Sequence, residues 1–301
     1  MNEEEFLKLL RCIVCGGKLG KSSNDSLICR KCKKYYPVID GIVDLYLPEK
    51  SIMTQSVNMK NQYETRGKFE SGLIVERERR NITVELAEGD TLLEIGCADG
   101  VMTADLSKKI PNIIASDISL AYLRQAKKNA ASARFVRLDI HELPFDDESF
   151  DCVICTEVLE HVYSPYKALD EIHRILKSEG SLILSVPNNM TFIRIFWHLM
   201  KRKENFSRLD TMNMHINFFD TGSILELLRK SGYYPVSIRS ADVPLPVIGK
   251  YLKKYPINFL INITRKRLLF FSDKIIVKAK KEEIVFWNKF NKNLKKYYEF
   301  G

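Results

Sequence analysis

Short apolar runs alternate with amphipathic segments through the middle of the chain. The apolar runs predict strands near 91–95, 112–116, 134–138, 151–155 and 181–186. Apolar residues at helical spacing predict helices near 101–109, 119–131 and 165–177. After an interruption, the pattern predicts a helix at 221–231, a strand at 234–240 and a last strand from Leu268 to Val277. This alternation is typical of a doubly wound, parallel α/β sheet.

Composition changes divide the chain into four predicted units. These units are a small cysteine-rich unit at 1–48, a helical linker at 49–88, the sheet domain at 89–281 and a basic, aromatic tail at 282–301. Two interruptions of the strand and helix alternation, at 188–217 and 243–268, are predicted to be insertions in the sheet domain.

Charge and hydropathy limit the classes of protein. The formal net charge is +9, and the excess of Lys and Arg lies in residues 191–301, whereas residues 61–190 are net acidic. A positive C-terminal third favours anionic partners such as phosphates, nucleic acid or anionic lipid. No apolar run approaches the roughly 18 residues of a membrane-spanning helix, and the acidic N-terminus lacks a secretory apolar region. We therefore expect a cytoplasmic protein.

Two Cys-x-x-Cys pairs lie in the first unit. Four thiolates at such spacing can close a tetrahedral zinc site, which has no open position and is structural. The alternative is a set of redox-active or incidental cysteines. Zinc is favoured because a unit this small cannot build a sufficient core of its own. The predicted metal ligands are Cys12, Cys15, Cys29 and Cys32.

A glycine-bearing loop follows the first strand of the sheet domain. The run Leu-Glu-Ile-Gly-Cys-Ala-Asp-Gly ends at Gly100, and acids follow the next two strands at Asp117 and Asp139. Glycine lets the backbone approach a cofactor closely, and an acid after the second strand can accept hydrogen bonds from ribose hydroxyls. A nicotinamide-binding fold is the alternative, but the spacing from Gly96 to Gly100 does not fit its Gly-x-Gly-x-x-Gly turn.

These motifs, with Phe-Asp-Cys-Val-Ile-Cys-Thr-Glu-Val-Leu-Glu-His-Val further on, resemble the class I S-adenosylmethionine methyltransferases. The resemblance covers about residues 90–240 and is greatest to the ubiquinone-biosynthesis and surface-glycan branch. It implies a Rossmann-like, seven-stranded sheet and S-adenosylmethionine as cofactor. The implied cofactor-binding residues are Glu94, Gly96, Cys97, Gly100, Asp117, Ile118, Asp139, Ile140, Thr156 and Glu157.

The resemblance also implies a role for each part of that set. Glu94, Gly96 and Gly100 would line the methionine end of the cofactor, and Asp117 would hold the ribose. Residues 139–140 would flank the adenine, and residues 156–157 would border the methyl group. Ala98 departs from the family, which usually has glycine there. Because alanine adds only a methyl group, we expect cofactor binding to survive this change.

The first unit resembles the zinc ribbon of the small activator subunits that partner many methyltransferases. Similar ribbons are fused to some ribosomal RNA guanine methyltransferases. The shared features are the four cysteines and the run Tyr36-Pro37-x-x-Asp40-Gly41-Ile42.

Two of the five histidines are candidates for acceptor chemistry. Methyl transfer to oxygen requires loss of the acceptor proton, and histidine is the commonest base for that step. His161 follows the fourth strand, and His215 lies in a His-Ile-Asn-Phe-Phe element that resembles one of the glycan-cluster enzymes. The alternative for each is a structural histidine that binds backbone carbonyls.

Amphipathic segments at 190–203 and 244–271 have two interpretations. Aromatic residues among lysines and arginines can lie in a bilayer interface, or they can cover the active site as a lid. The leading hypothesis is methyl transfer to an oxygen of a small-molecule, glycan or lipid-linked acceptor, with peripheral contact at the inner membrane surface. The alternatives are an RNA base methyltransferase and a non-catalytic, cofactor-binding partner module.

Overall fold

The structure, a computed structural model, describes residues 1–23, 25–48, 74–189, 215–241 and 272–281. In this part of the chain, helices pack on both faces of one long sheet. The helices are α1 (Glu3–Leu9), α2 (Ile74–Leu86), α3 (Val101–Leu106), α4 (Leu120–Asn129), α5 (Pro165–Ile175) and α6 (Thr221–Lys230). The strands are β1 (Leu19–Ser23), β2 (Ser26–Cys29), β3 (Tyr35–Ile39), β4 (Ile42–Asp44), β5 (Thr91–Ile95), β6 (Asn112–Asp117), β7 (Arg134–Arg137), β8 (Phe150–Thr156), β9 (Leu176–Pro187), β10 (Tyr233–Ala241) and β11 (Lys274–Lys281).

The sheet has the strand order β1-β2-β3-β4-β7-β6-β5-β8-β9-β11-β10. Neighbouring strands from β4 to β9 in that order are parallel, and β11 and β10 then pair antiparallel. Strands β5 to β11 make the predicted doubly wound, seven-stranded sheet, so the fold class is confirmed. The chain reverses its direction of travel between β5 and β8. Ligands of such sheets bind at this switch point, outside the carboxyl ends of the strands.

The central strands are apolar because the sheet is covered on both faces. Side chains alternate along β5, so Leu92 packs toward the apolar cluster that contains Leu123 of α4. Leu93 belongs to the opposite cluster, with Leu169 of α5 and Ile224 of α6. Burial on both faces fixes the register of β5, and hence the height at which the loop after it leaves the sheet.

The N-terminal unit continues the same sheet. Strand β4 pairs parallel with β7, with Val43 opposite Val136 and Asp44 opposite Arg137. The Arg137 guanidinium donates to Asp44 Oδ2 at 3.2 Å, and the Leu45 amide donates to the Arg137 carbonyl at 2.9 Å. The unit therefore covers an edge of the sheet that would otherwise be open. The sequence pattern did not predict this continuation.

Two predicted boundaries were wrong. The helix at 165–177 ends at Ile175, and β9 begins at Leu176 rather than near residue 181, because Leu176 is buried and pairs with Phe150. The last strand was predicted from Leu268 to Val277, but β11 is Lys274–Lys281.

The lysines of β11 explain the second error, because they belong to the strand although they resemble a solvated run. Lys278 is mostly covered and pairs with Glu88 at 2.7 Å, and Lys274 pairs with Glu157. Each lysine can pack its methylene chain on the sheet while its ammonium finds a carboxylate.

Several predicted segments lie outside the described residues. The insertions at 188–217 and 243–268 fall there for the most part, as do the tail at 282–301 and the first part of the linker at 49–88. In the described part of the chain, no helix is long and apolar enough to cross a membrane.

Candidate active site

The loop after β5 packs tightly against two neighbouring elements. Gly96 and Gly100 have φ angles of +74° and +78°, which L side chains rarely adopt. A Cβ atom on Gly96 would lie 2.4 Å from Val158 Cγ2, and one on Gly100 would lie 2.6 Å from Ala126 Cα. A larger residue would force the loop away from Val158 at position 96, or from helix α4 at position 100. Ala98, between them, also has a positive φ of +47°, so glycine is the unstrained residue there too.

Asp117, at the end of β6, holds this loop from the side. Its Oδ2 accepts the Ala98 amide at 3.0 Å, and its Oδ1 accepts the Ser119 amide at 2.8 Å. Burial raises the pKa of Asp117 to about 6, against the opposing effect of these amides. Each carboxylate oxygen keeps a lone pair beyond these bonds, so further donors such as ribose hydroxyls can bind.

Glu94 lies fully buried on β5, beneath the loop. Its Oε2 accepts the Thr103 hydroxyl at 2.6 Å, whereas its Oε1 has no hydrogen-bond partner among the described residues. Burial raises its pKa to about 7. A buried acceptor without a donor is costly, so this oxygen fits the ammonium group of an amino-acid moiety such as that of S-adenosylmethionine.

His141, which the sequence pattern did not single out, connects the segment after β7 to the start of α5. The Asp139 Oδ1 accepts from the His141 amide at 3.0 Å and lies 2.7 Å from His141 Nδ1. The Ser164 amide donates to His141 Nε2 at 3.3 Å. These bonds assign the proton to Nδ1 and orient Asp139 where the adenine-binding acid was predicted. A histidine two residues after a strand-ending acid was the available signal.

The remaining predicted cofactor residues surround these groups. Cys97 is buried, and its amide donates to the Ser116 carbonyl at 2.9 Å, whereas the Ile118 carbonyl accepts the Arg137 Nε at 2.8 Å. Ile140 is also buried. These residues build the walls of the loop region through their backbones.

Thr156 ends β8 and Glu157 follows it, on the other side of the switch point. Thr156 is buried, and Glu157 Oε1 accepts the Ser185 hydroxyl at 2.9 Å while its other oxygen pairs with Lys274. Burial opposes ionisation of Glu157, but Lys274 and Arg79 outweigh it and lower its pKa. Glu157 is therefore an ionised group at this edge of the sheet.

The two candidate histidines meet beyond β8, although more than fifty residues separate them in the chain. The rings of His161 and His215 lie 4.8 Å apart between centroids, at an angle of 65°. Glu160 lies beside them, with its Oε1 4.0 Å from His161 Nε2. Burial, and then ionised Glu157, raise the pKa of Glu160 well above its usual range. The sequence prediction included both histidines and missed Glu160.

The four cysteines converge at the N-terminal unit. Their sulfur atoms lie within 4.8 Å of one another, with Cys12 to Cys32 at 3.6 Å and Cys15 to Cys29 at 3.5 Å. Four thiolates around one zinc ion at about 2.3 Å lie about 3.8 Å apart, so the set fits a tetrahedral site. The Tyr36 hydroxyl lies 3.1 Å from Cys12 Sγ, as a second layer of such a site would.

Two protein families match separate parts of this chain. Residues 93–184 match a family described as a methyltransferase domain, and residues 3–41 match one described as Trm112p-like protein. Residues 93–184 are a methyltransferase domain. The resemblances to a methyltransferase and to an activator subunit are thereby confirmed, whereas the ubiquinone-biosynthesis and surface-glycan branch stays a prediction.

Similarity to a methyltransferase from another organism supports this domain assignment. A demethylmenaquinone methyltransferase from Clavibacter sepedonicus is 33% identical over 99 residues, which cover 32% of this chain and 40% of that protein. The match thus spans less than half of that relative's own length.

Solved structures share the fold of the methyltransferase domain. Burkholderia thailandensis 1,6-didemethyltoxoflavin-N1-methyltransferase has a TM-score of 0.52 at 15% identity, covering 88% of this chain and 99% of that one. A chain from the complex between the Haloferax volcanii Trm112 methyltransferase activator and a methyltransferase has a TM-score of 0.50 at 19% identity, covering 69% and 92%. At such identities the likeness shows the fold alone.

Proposed function

We propose that this protein transfers a methyl group from S-adenosylmethionine to an oxygen of a small-molecule, glycan or lipid-linked acceptor. The observation that carries the proposal is that two neighbouring strands bring two kinds of group. Glu94 on β5 has an oxygen with no hydrogen-bond partner among the described residues, and the His161–His215 pair follows β8. One group suits a cationic donor molecule and the other suits an acceptor that must lose a proton.

The cofactor side rests on contacts around the glycine-bearing loop. When bound, S-adenosylmethionine supplies a methyl group on a positively charged sulfur. Glu94 would accept the ammonium group through Oε1, and Asp117 would accept the ribose hydroxyls through its remaining lone pairs. Asp139 and Ile140 would flank the adenine, and residues 156–157 would border the methyl group. The acids among these residues favour binding of the cationic cofactor.

The acceptor side rests on the residues that follow β8. His161 and His215 would act on the acceptor hydroxyl, whose proton must leave before or during methyl transfer. Exposed apolar side chains flank the pair in sequence: Tyr163, Ile216 and Phe218 are 44%, 42% and 57% exposed. An apolar rim beside a polar pair favours an acceptor with an apolar part, such as a lipid-linked one. Such an acceptor would bring the protein to the inner membrane surface.

We also propose that the N-terminal unit is a structural zinc ribbon that acts within the chain. Its sulfur atoms fit one tetrahedral ion, and its strand β4 covers the edge strand β7. The site leaves no position for a substrate, so its contribution is to folding of the ribbon and to order along that edge.

Label transfer tests the proposed activity directly. The protein is incubated with S-adenosylmethionine that carries a labelled methyl group and, separately, with lipids, glycans and RNA extracted from cells that lack it. We expect label in a lipid or glycan fraction, and mass spectrometry then identifies the methylated atom. Label confined to RNA, with binding that weakens steeply with salt, would establish the RNA alternative instead. Absence of label in all fractions, despite cofactor binding, would support the non-catalytic alternative.

A histidine variant tests the acceptor side. We expect His215→Ala to slow transfer by about 100-fold or more while leaving S-adenosylhomocysteine affinity unchanged, because general acid–base groups contribute at this scale. His173→Gln is the control, since His173 lies on α5 against Tyr233 and Gly232. Full activity of His215→Ala would remove His215 from the reaction.

A further inference from the structure

Three possible ligand atoms converge on one point beyond β8. Glu160, His161 and His215 each bring one such atom, and these atoms all lie within 4.8 Å of one another. Two imidazole nitrogens and a carboxylate oxygen are a ligand set that divalent transition metals use in proteins. We propose that these three residues bind one divalent transition-metal ion, at a site separate from the four cysteines.

The buried carboxylate is the first argument for an ion. The Glu160 side chain is only 2% exposed, and neither carboxylate oxygen has a hydrogen-bond partner among the described residues. Its Oε1 lies 4.0 Å from His161 Nε2, beyond hydrogen-bonding distance. A carboxylate that is buried and has no donor is destabilising, and a cation bound between Oε1 and the two rings would compensate for it.

The backbone supplies a rigid frame for the same three residues. The amides of Ile216 and Asn217 donate to the Glu160 carbonyl at 2.8 and 3.1 Å. The Asn217 side-chain amide donates to the Leu159 carbonyl at 3.0 Å and to the Val162 carbonyl at 2.5 Å. These bonds hold the segment after His215 against the turn that contains His161, without using either ring. A backbone held in this way keeps the three side chains near one another before an ion binds.

The spacing needs only a small contraction. Ligand atoms about 2.0–2.2 Å from one ion lie roughly 3.0–3.5 Å from one another, so the set must close by about 1 Å.

Glu157, Lys274 and Arg79 also act on Glu160 electrostatically. Lys274 is already paired with Glu157, so its charge is largely compensated and repels an ion less.

Three protein ligands leave coordination positions open, unlike the closed set of four cysteines. An open position beside the proposed acceptor site could hold an acceptor oxygen and make its hydroxyl more acidic, with water taking the proton. In that role the two imidazoles act through the ion and do not accept the proton themselves. The role rests on the proposed function, whereas binding of the ion does not.

Mn²⁺ binding to the full-length, zinc-loaded protein tests the site. Thiolates select zinc, whereas carboxylate and imidazole ligands also accept Mn²⁺, so Mn²⁺ reports on the second site alone. Loss of the electron paramagnetic resonance signal of free Mn²⁺ measures binding. We expect the wild type to bind one Mn²⁺ per chain. Glu160→Gln and His215→Ala should each raise the dissociation constant for Mn²⁺ by about tenfold or more. The control His173→Gln should bind like the wild type.

Calorimetry with S-adenosylhomocysteine accompanies each variant, so that loss of folding is not mistaken for loss of a ligand. His161→Gln serves as a further variant if Glu160→Gln does not bind S-adenosylhomocysteine. The proposal is overturned if the wild type binds no Mn²⁺, or if folded variants bind it as tightly as the wild type. Methyl transfer without metal binding would overturn the metal site and leave the proposed function intact. Metal binding without methyl transfer to any fraction would do the reverse.

Discussion

Glutamine at position 94 removes one ionisable group from the interior of the methyltransferase domain while nearly preserving its shape. Glu94 is fully buried, and its pKa rises from 4.5 to about 7 because burial disfavours the carboxylate. The Thr103 hydroxyl and Arg79 act in the opposite direction and do not overcome burial. In the protein without ligand, ionisation of this side chain should therefore lower the free energy of unfolding. Glu94→Gln removes the ionisable group and should remove this pH dependence.

The sign and size of this pH dependence of stability follow from the raised pKa of Glu94. The folded state binds a proton more tightly than the unfolded state, so the stability from Glu94 is greatest below its unfolded pKa. It is lost as the pH rises toward about 7. Each unit of pKa difference corresponds to about 1.4 kcal/mol, which gives a loss of about 2–3 kcal/mol between about pH 5 and about pH 8.

Urea unfolding of both proteins between about pH 5 and about pH 8 measures this effect. Asp117, whose pKa is also raised, titrates in both proteins, so most of its own contribution cancels when their free energies of unfolding are subtracted. Its charge is also one of the groups that raise the pKa of Glu94. We expect the wild type to lose about 2–3 kcal/mol relative to Glu94→Gln across this range. Parallel pH profiles for the two proteins would refute the assignment of a raised pKa to Glu94.

Three further substitutions test the loop and the ribbon. Asp117→Ala should weaken S-adenosylhomocysteine binding by about 100-fold or more in calorimetry, since charge-assisted hydrogen bonds to the ribose are lost; Asp105→Ala is the control, and equal affinities would contradict the ribose assignment. Ala98→Gly should raise the free energy of unfolding by about 0.5–1 kcal/mol, because relief of the positive φ outweighs the added chain entropy, whereas Ala98→Val should lower it; two changes of the same sign would count against strain at this position. Cys29→Ser should release zinc in native mass spectrometry, and a wild type that carries no metal would exclude the zinc ribbon.

Much of the sheet could be predicted because burial on both faces makes its strands continuously apolar. Strands β5, β6 and β8 were predicted to within a residue or two, since each is short and bounded by polar turns. Strand β11 could not be placed, because its lysines find carboxylate partners that only the folded sheet brings near. Strand β4 has three residues, too few to show any period.

The candidate site was predictable only where one local motif carries it. The glycine-bearing loop and the cysteine pairs are contiguous motifs, and their residues meet in space as their spacing indicates. The meeting of His161 and His215 depends on the path of a long intervening segment, and no pattern in the sequence reports that path. Glu160 was missed because an acid beside a histidine is common, and only burial without a hydrogen-bond partner makes it unusual.

Arg137 joins the ribbon to the donor end of the active site. Its guanidinium donates to Asp44 of the ribbon and to the carbonyl of Ile118, the residue after Asp117. If zinc binding shifts this side chain and thereby changes the affinity for the cofactor, reciprocity requires the cofactor to change the affinity for zinc by the same factor. The S-adenosylhomocysteine affinity of Cys29→Ser measures that factor. A factor above one would mean that the supply of zinc influences how strongly the protein holds its methyl donor.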